Sequence, residues 1–347
     1  MKTLRDFAVK NKRVLVRCDF NVPTDENGNV SDDFRIGQTL PTIKYLLKNK
    51  AKVILMSHFG EPRGQVVPEL KLDKVAEKLS ELLGILVKKE NDCVGPEVLS
   101  DANNLKPGEI LLLENLRFHK EETENNPEFS KKLAEFGDIY INDAFSVCHR
   151  NHASVSGIVK FLPHGAGFLF EKEIENLNKV LENPVKPMIS IIGGTKVETK
   201  SKFIDKISEV SDFVLISGLL KKEVSDKNIQ FKYPEKIIGP EDNLNALDIN
   251  DKSIKLFEEK ILKAKTILWN GPFGKFEDEK YSAGTLAIAK AIIKSKAFSV
   301  AGGGETVEFL RKQGIIEKFS HVSTGGGAMM AYLSGEKLPG LEALCIK

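Results

Sequence analysis

The chain has 347 residues, 41% apolar and 29% charged, with a net charge of +2. That length exceeds one ordinary core, so two domains are expected, and near-neutrality gives no general reason to expect nucleic acid or an anionic membrane as partner. No apolar run reaches the roughly 18 residues of a membrane span, the N-terminus lacks a signal peptide's apolar centre, and Cys18, Cys93, Cys148 and Cys345 form no CxxC pair, which suits neither zinc nor a disulfide framework and predicts a reduced, cytoplasmic protein.

In chain order, short apolar runs alternate with amphipathic stretches. RVLVRCDF reads as a strand, QTLPTIKYLLKN as a helix, AKVILMSH as a strand and LDKVAEKLSELLG as a helix. EILLLEN, the helical PEFSKKLAEFG and the strand DIYINDAF complete the first half. FLFEKEIENLNKVLE is a long helix closed by Asn183 and Pro184. The second half places PMISIIGG, FVLISG, AKTILWNG, AFSVAGGG and HVSTGGG as strands, with AGTLAIAKAIIKS as one of the helices between them. The pattern predicts an α/β protein of two doubly wound parallel-sheet domains. The last segment, LPGLEALCIK, is too apolar for a free tail and is expected to pack back on the body.

Ligands of such sheets bind beyond the carboxyl ends of strands, and the residues there differ between the halves. In the first half they are polar or charged: Asp19, Asn21, His58, Asn115, Arg117, Asn142, Asp143, His149, Arg150 and His152. Only eight of the 51 basic residues are Arg, and seven of those precede residue 151; Arg supplies a planar fork for carboxylate or phosphate. This half reads as a site for a small, highly charged anion, with CHRNHAS its densest piece. His119, His164 and His321 read as structural, and EETENNPE as a solvated loop.

In the second half the strand ends are glycines: Gly193–Gly194, Gly271, Gly302–Gly304 and Gly325–Gly327. A glycine loop opening a helix admits a phosphate to several N–H groups at the positive end of the dipole. AGGGET adds Glu305, an acid that repels phosphate unless a cation lies between them. In IIGGTKVETK, Lys196 and Lys200 fall on one helical face. The spacing matches neither the GxxxxGK[ST] loop nor the GxGxxG dinucleotide fingerprint, which disfavours a nicotinamide dehydrogenase.

Taken in order, RCDFNVP, DDFRI, ILMSHFGEPRG, LLLENLRFH, INDAFSVCHRNHAS, IIGGTKV, WNGPFGKFE, AGGGET and HVSTGGGA resemble the phosphoglycerate kinase family over nearly the whole chain. The resemblance implies a hinge-bending, monomeric enzyme that transfers phosphoryl between 1,3-bisphosphoglycerate and MgADP, giving 3-phosphoglycerate and MgATP. It implies a phosphoglycerate-binding domain over 1–167, a joining helix over 168–184, a nucleotide-binding domain over 185–333 and a returning segment over 334–347. Carried over by position, Asp19, Phe20, Asn21, Arg35, His58, Phe59, Gly60, Glu61, Arg117 and Arg150 would surround the phosphoglycerate. Gly194, Lys196, Lys200, Gly218, Asn250, Asn270, Pro272, Gly274, Glu277, Gly302, Gly303, Gly304, Glu305, Thr306, Thr324, Gly325 and Gly326 would hold ATP or ADP, with Glu305 on Mg²⁺. Arg35, Lys196 and the helix starts at Gly302 and Gly325 would stabilise the moving phosphoryl group.

Four positions depart from the family pattern. Glu61 stands in SHFGEPRG where the family has an arginine; the expectation is that Arg63 substitutes for it or that Glu61 faces solvent. Glu305 replaces an aspartate, and Asn250 a glycine. The stretch between FVLISGLL and GPEDNLNALDIN is tens of residues shorter than usual, without the family's glycine-rich segment and its following helix. These departures leave a second reading, a non-catalytic phosphate-ligand-binding or regulatory protein on the same fold.

Overall fold

The computed structural model describes residues 1–194, 197–241 and 244–345. The chain divides into two compact units, Met1–Lys172 with Lys337–Lys347, and Glu173–Glu336. The boundary falls within the helix Phe168–Leu181.

The first unit is built on β1 (Arg13–Arg17), β2 (Lys52–Met56), β3 (Val87–Lys89), β4 (Ile110–Leu112), β5 (Ile139–Asn142) and β6 (His164–Ala166). They pair in the order β3-β4-β2-β1-β5-β6, all parallel. Val14–Arg17 and Val53–Met56 are buried throughout, as strands covered on both faces must be. The helix Asp73–Leu83 shows how the cover forms: Val75, Ala76 and Leu79 share its buried face, and Gly84, at φ 68°, ends it. The helix Pro339–Leu344 belongs to this unit, where Gly340 N–H donates to Cys148 O at 2.8 Å. A Cβ at Gly340 would lie 2.7 Å from Val155 Cγ1, so only glycine permits this approach.

The second unit contains β7 (Met188–Ile192), β8 (Phe213–Ile216), β9 (Ile237–Ile238), β10 (Thr266–Asn270), β11 (Phe298–Gly302) and β12 (His321–Val322). Their order is β12-β11-β10-β7-β8-β9, again parallel. β7 and β10 are buried at every residue. Sequence patterning misses β3, β6 and β9, which have two or three residues each and no apolar run. After FVLISGLL the chain forms the short helix Gly218–Asp226, started by Ser217 Oγ accepting from Leu220 N–H at 3.4 Å. No helix among the described residues is long and apolar enough to cross a membrane.

Candidate functional site

In the first unit, β1 lies between β2 and β5, and the loops leaving these strands converge. Asp19 follows β1 and pairs with the Arg35 guanidinium from the helix Phe34–Lys48. Burial pushes the Asp19 carboxyl up, but Arg35, His58, the Ser146 hydroxyl and the Asn21 N–H outweigh it and hold its pKa at about 2. His58, after β2, is pushed well below its ordinary value, first by burial and then by Arg17, Arg117 and Arg150 against the opposing pull of Asp19. It is therefore neutral at pH 7 and no acid for catalysis.

Asn115 fixes the loop after β2. Its Oδ1 accepts from Phe59 N–H and Arg117 N–H, both at 3.1 Å, while its Nδ2 donates to Phe59 O at 2.7 Å and Leu70 O at 2.9 Å. Asn21 Oδ1 accepts from Gly60 N–H at 2.9 Å, and Phe20 N–H donates to Ser57 Oγ at 2.9 Å. This positions Arg117, which donates to Gly60 O at 2.8 Å and to Glu61 Oε1 at 2.7 Å. Burial, then the neighbouring Arg150, lowers the Arg117 pKa to about 10, still cationic at neutral pH. Its Nε and Nη2 are buried without a hydrogen-bond partner. Two unsatisfied guanidinium nitrogens facing a cationic cluster suit an anion.

Glu61 neither faces solvent alone nor yields to Arg63: its carboxylate takes both Arg117 and Arg150, while the Arg63 side chain is exposed. Three further residues belong to this site although sequence reasoning did not place them there. Arg17, fully buried, donates from Nε to Ser154 Oγ at 2.8 Å, with Nη2 lying 3.4 Å from His58 Nδ1. Ser154 in turn donates to Glu122 from Oγ at 2.6 Å and from its N–H at 2.9 Å. Glu122 corrects the expectation of a solvated loop: it is fully buried and supplies the counter-charge to the Arg17 relay. Burial and the surrounding arginines lower the His152 pKa to about 3.

The second unit presents a cavity of about 230 Å³ at the carboxyl ends of β7, β8 and β10. Gly194, Gly218, Pro272, Gly274, Glu277 and Glu305 line it, together with Ser217, Leu247, Asp248 and Phe273. The backbone behind the lining residues Gly194 and Pro272 depends on glycine: a Cβ at Gly193 would lie 2.0 Å from Pro272 O, and Gly271 has φ 92°. Asn270 Nδ2 donates to Gly302 O at 3.1 Å and Gly271 N–H to Thr306 Oγ1 at 2.7 Å, tying the ends of β10 and β11 together. Gly303, at φ 97°, precedes the helix Gly304–Lys312, whose first turn carries Glu305. The Lys200 ammonium bonds Gly193 O; burial lowers its pKa to about 8 against the opposing charge of Glu305.

Thr324 begins the second glycine triplet, and its N–H and hydroxyl both donate to the buried Glu173. Gly325 N–H donates to Ser323 Oγ at 3.0 Å, and Gly326 has φ 49° before the helix Gly327–Leu333. Lys196 lies outside the described residues. Asn250 directly follows the lining residues Asp248 and Ile249 and caps the helix Asp251–Lys263, accepting from Ser253 N–H at 3.0 Å. His119, expected to be structural, pairs with Asp92 at 2.6 Å beside buried Cys93. Asp92 and Cys93 are neighbours in the sequence, and the fold brings His119, 27 residues after Asp92, within ligating reach of both, a grouping that spacing does not reveal.

The family model for phosphoglycerate kinase matches residues 4–228 and 220–336. Two phosphoglycerate kinases are similar over nearly their whole length. That of Moorella thermoacetica is 42% identical over 390 aligned positions, covering 99% of each chain. That of Dictyoglomus turgidum is 44% identical, covering 98% of this chain and 97% of its own. An alignment of 390 positions against 347 residues leaves at least 43 where the Moorella protein has residues and this chain has none (390 − 347). Among solved structures, phosphoglycerate kinase from Pyrococcus horikoshii superposes with a TM-score of 0.89 at 33% identity, covering 99% of this chain and 98% of its own. That from Coxiella burnetii gives 0.82 at 31%, with the same coverage. With its two six-stranded parallel sheets and its arginine-rich and glycine-rich strand ends, the chain belongs to the phosphoglycerate kinase family.

Proposed function

We propose that the enzyme transfers a phosphoryl group between 1,3-bisphosphoglycerate and MgADP, forming 3-phosphoglycerate and MgATP. The observation that carries this reading is the pairing of two chemistries in one chain. One unit gathers Arg17, Arg35, Arg117 and Arg150 at its strand ends, and the other offers a glycine-walled cavity with Lys200 and Glu305.

Phosphoglycerate binds the first unit, over residues 1–167, through Asp19, Asn21, Arg35, His58, Arg117 and Arg150, with Phe20, Phe59, Gly60 and Glu61 around it. The nucleotide binds the second, over 185–333, through Gly194, Lys196, Lys200, Gly218, Asn270, Pro272, Gly274, Glu277, Gly302–Thr306 and Thr324–Gly326. The helix over 168–184 acts as the hinge, and transfer requires the two ligands to be brought in line.

In the direction of ATP consumption, a carboxylate oxygen of 3-phosphoglycerate forms the new bond to the γ-phosphorus. The bond from that phosphorus to the β,γ-bridging oxygen breaks, and the electron pair leaves with ADP. The nucleophile is already ionised at pH 7, so no general base is needed and a neutral His58 fits. Arg35, Lys196 and the N–H groups at the helix starts near Gly302 and Gly325 share the charge on the transferring group. Glu305, a hard carboxylate oxygen at the mouth of a phosphate-binding loop, suits Mg²⁺ held jointly with nucleotide phosphates. When bound, the ion neutralises phosphate charge. The enzyme acts as a cytoplasmic monomer.

A coupled assay with 3-phosphoglycerate and MgATP tests the reading, run beside Lys196→Ala and Arg35→Ala. Turnover at least about 100-fold above both variants is expected. Wild-type turnover no greater than that of the variants at millimolar substrates favours the non-catalytic binder instead.

A further inference from the structure

The anion site of the first unit contains a carboxylate of its own. Glu61 Oε1 accepts from Arg117 Nη1 at 2.7 Å and from Arg150 Nη1 at 3.2 Å, so one oxygen bridges two guanidinium groups. An oxygen shared by two such forks occupies the place a phosphate or carboxylate oxygen of a ligand would take.

The three side chains differ in what they lose if that contact breaks. Arg117 is 2% exposed, Arg150 38% and Glu61 61%. A buried guanidinium without a counter-charge is costly, so Arg117 needs an anion beside it at all times. Glu61 is wet enough to rotate into water, where it regains full hydration and loses little. The backbone beneath it is pinned, Gly60 N–H by Asn21 and Gly60 O by Arg117. The exchange is therefore a side-chain rotation and leaves the loop in place.

We infer that Glu61 is an internal counter-ion that competes with the acid substrate: it neutralises Arg117 and Arg150 in the free enzyme, and a phosphorylated carboxylic acid must displace it to bind. The inference rests on the first unit being the phosphoglycerate site. Glu61 thus weakens binding without taking part in the transfer. It also keeps the buried Arg117 compensated between turnovers, so the site does not depend on ambient anions for its charge balance. A ligand that never touches these arginines, such as the nucleotide, does not sense Glu61.

Isothermal titration of 3-phosphoglycerate into wild type, Glu61→Gln, Glu61→Ala and Arg150→Ala tests this, with ADP titrated into each as control. Removing the Glu61 charge should tighten 3-phosphoglycerate about three- to thirtyfold. KM for that substrate should fall with it, ADP affinity should not move, and the thermal midpoint of the ligand-free protein should drop and be restored by 3-phosphoglycerate, because Arg117 has then lost its counter-charge. If Arg150→Ala weakens 3-phosphoglycerate while both Glu61 variants bind it no tighter than wild type, the competition is refuted and the site assignment stands. If Arg150→Ala binds as well as wild type, or nothing binds, the site assignment fails and the inference falls with it.

Discussion

Glu173 accepts from Thr324 twice, from the backbone N–H at 2.6 Å and from the hydroxyl at 2.7 Å, while its other oxygen meets His321 Nε2 at 2.8 Å. A glycine triplet has no side chains to hold it in shape, so its geometry comes from its flanks. Glu173 is that flank for Thr324–Gly326. Burial pushes its carboxyl up, and the bonds from His321, Thr324 and Ser323 more than offset this, so it stays ionised.

Glu173→Ala is accordingly expected to destabilise the second unit by about 3–5 kcal/mol, because it leaves buried donors without an acceptor. Glu173→Gln, which keeps an acceptor oxygen, should cost about 1–3 kcal/mol. Trp269 is the sole tryptophan and is buried in this unit, so its fluorescence during urea unfolding reads the effect. An Ala variant that unfolds within about 0.5 kcal/mol of wild type removes Glu173 from this role.

Gly193→Ala should weaken ADP binding at least about tenfold, because the new Cβ would meet Pro272 O at 2.0 Å and Gly271 O at 2.4 Å and so push on Pro272, which lines the cavity. Gly37→Ala is the opposite case. Gly37 lies inside the helix Phe34–Lys48 with nothing within 4 Å of an added Cβ. That change should stabilise the first unit by about 0.5–1 kcal/mol. Calorimetric titration and urea unfolding check the two, and equal behaviour of both variants contradicts the account.

Asp143 predicts a pH dependence of stability. Burial raises its carboxyl pKa from the ordinary 3.8 to about 7, against bonds from Thr42 and the N–H groups of Phe170 and Leu169. A carboxyl raised on folding keeps its proton where the unfolded chain has lost it. Its stabilising contribution is full below about pH 4 and is lost as pH rises through about 7. Wild type should therefore lose stability relative to Asp143→Asn across this window, with a slope approaching about 1.4 kcal/mol per pH unit. Urea unfolding by circular dichroism at several pH values measures it; parallel curves for the two proteins rule it out.

Glu305→Ala should raise the Mg²⁺ concentration for half-maximal turnover by about tenfold or more, and Glu305→Asp should restore most of the difference. Unchanged Mg²⁺ dependence in the Ala variant places the metal elsewhere.

Positions where the backbone requires glycine were legible in the sequence. Gly193, Gly271 and Gly303 stand at strand ends because no side chain fits there, and glycine in that pattern carries its own meaning. Asp19 was typed by its chemistry and its place after a strand, whereas Arg35 entered the candidate site only through the family resemblance. Glu122 was not legible. Within EETENNPE it looks like its neighbours, and only Ser154, 32 residues later, makes it a buried counter-charge. Arg17 was visible as an arginine inside a strand, yet its partners, Ser154 and His58, come from other elements.

The alternation of apolar runs with amphipathic helices determined two parallel α/β sheets on its own, since a strand covered on both faces must be apolar throughout. Strand-end chemistry likewise set the two halves apart, with polar and charged residues in the first and glycines in the second. Whether Glu61 turned to solvent or to the arginines was decided only by tertiary structure. A charged side chain's partner depends on what the fold brings within a few ångströms, and Arg117 and Arg150 lie 56 and 89 residues away along the chain.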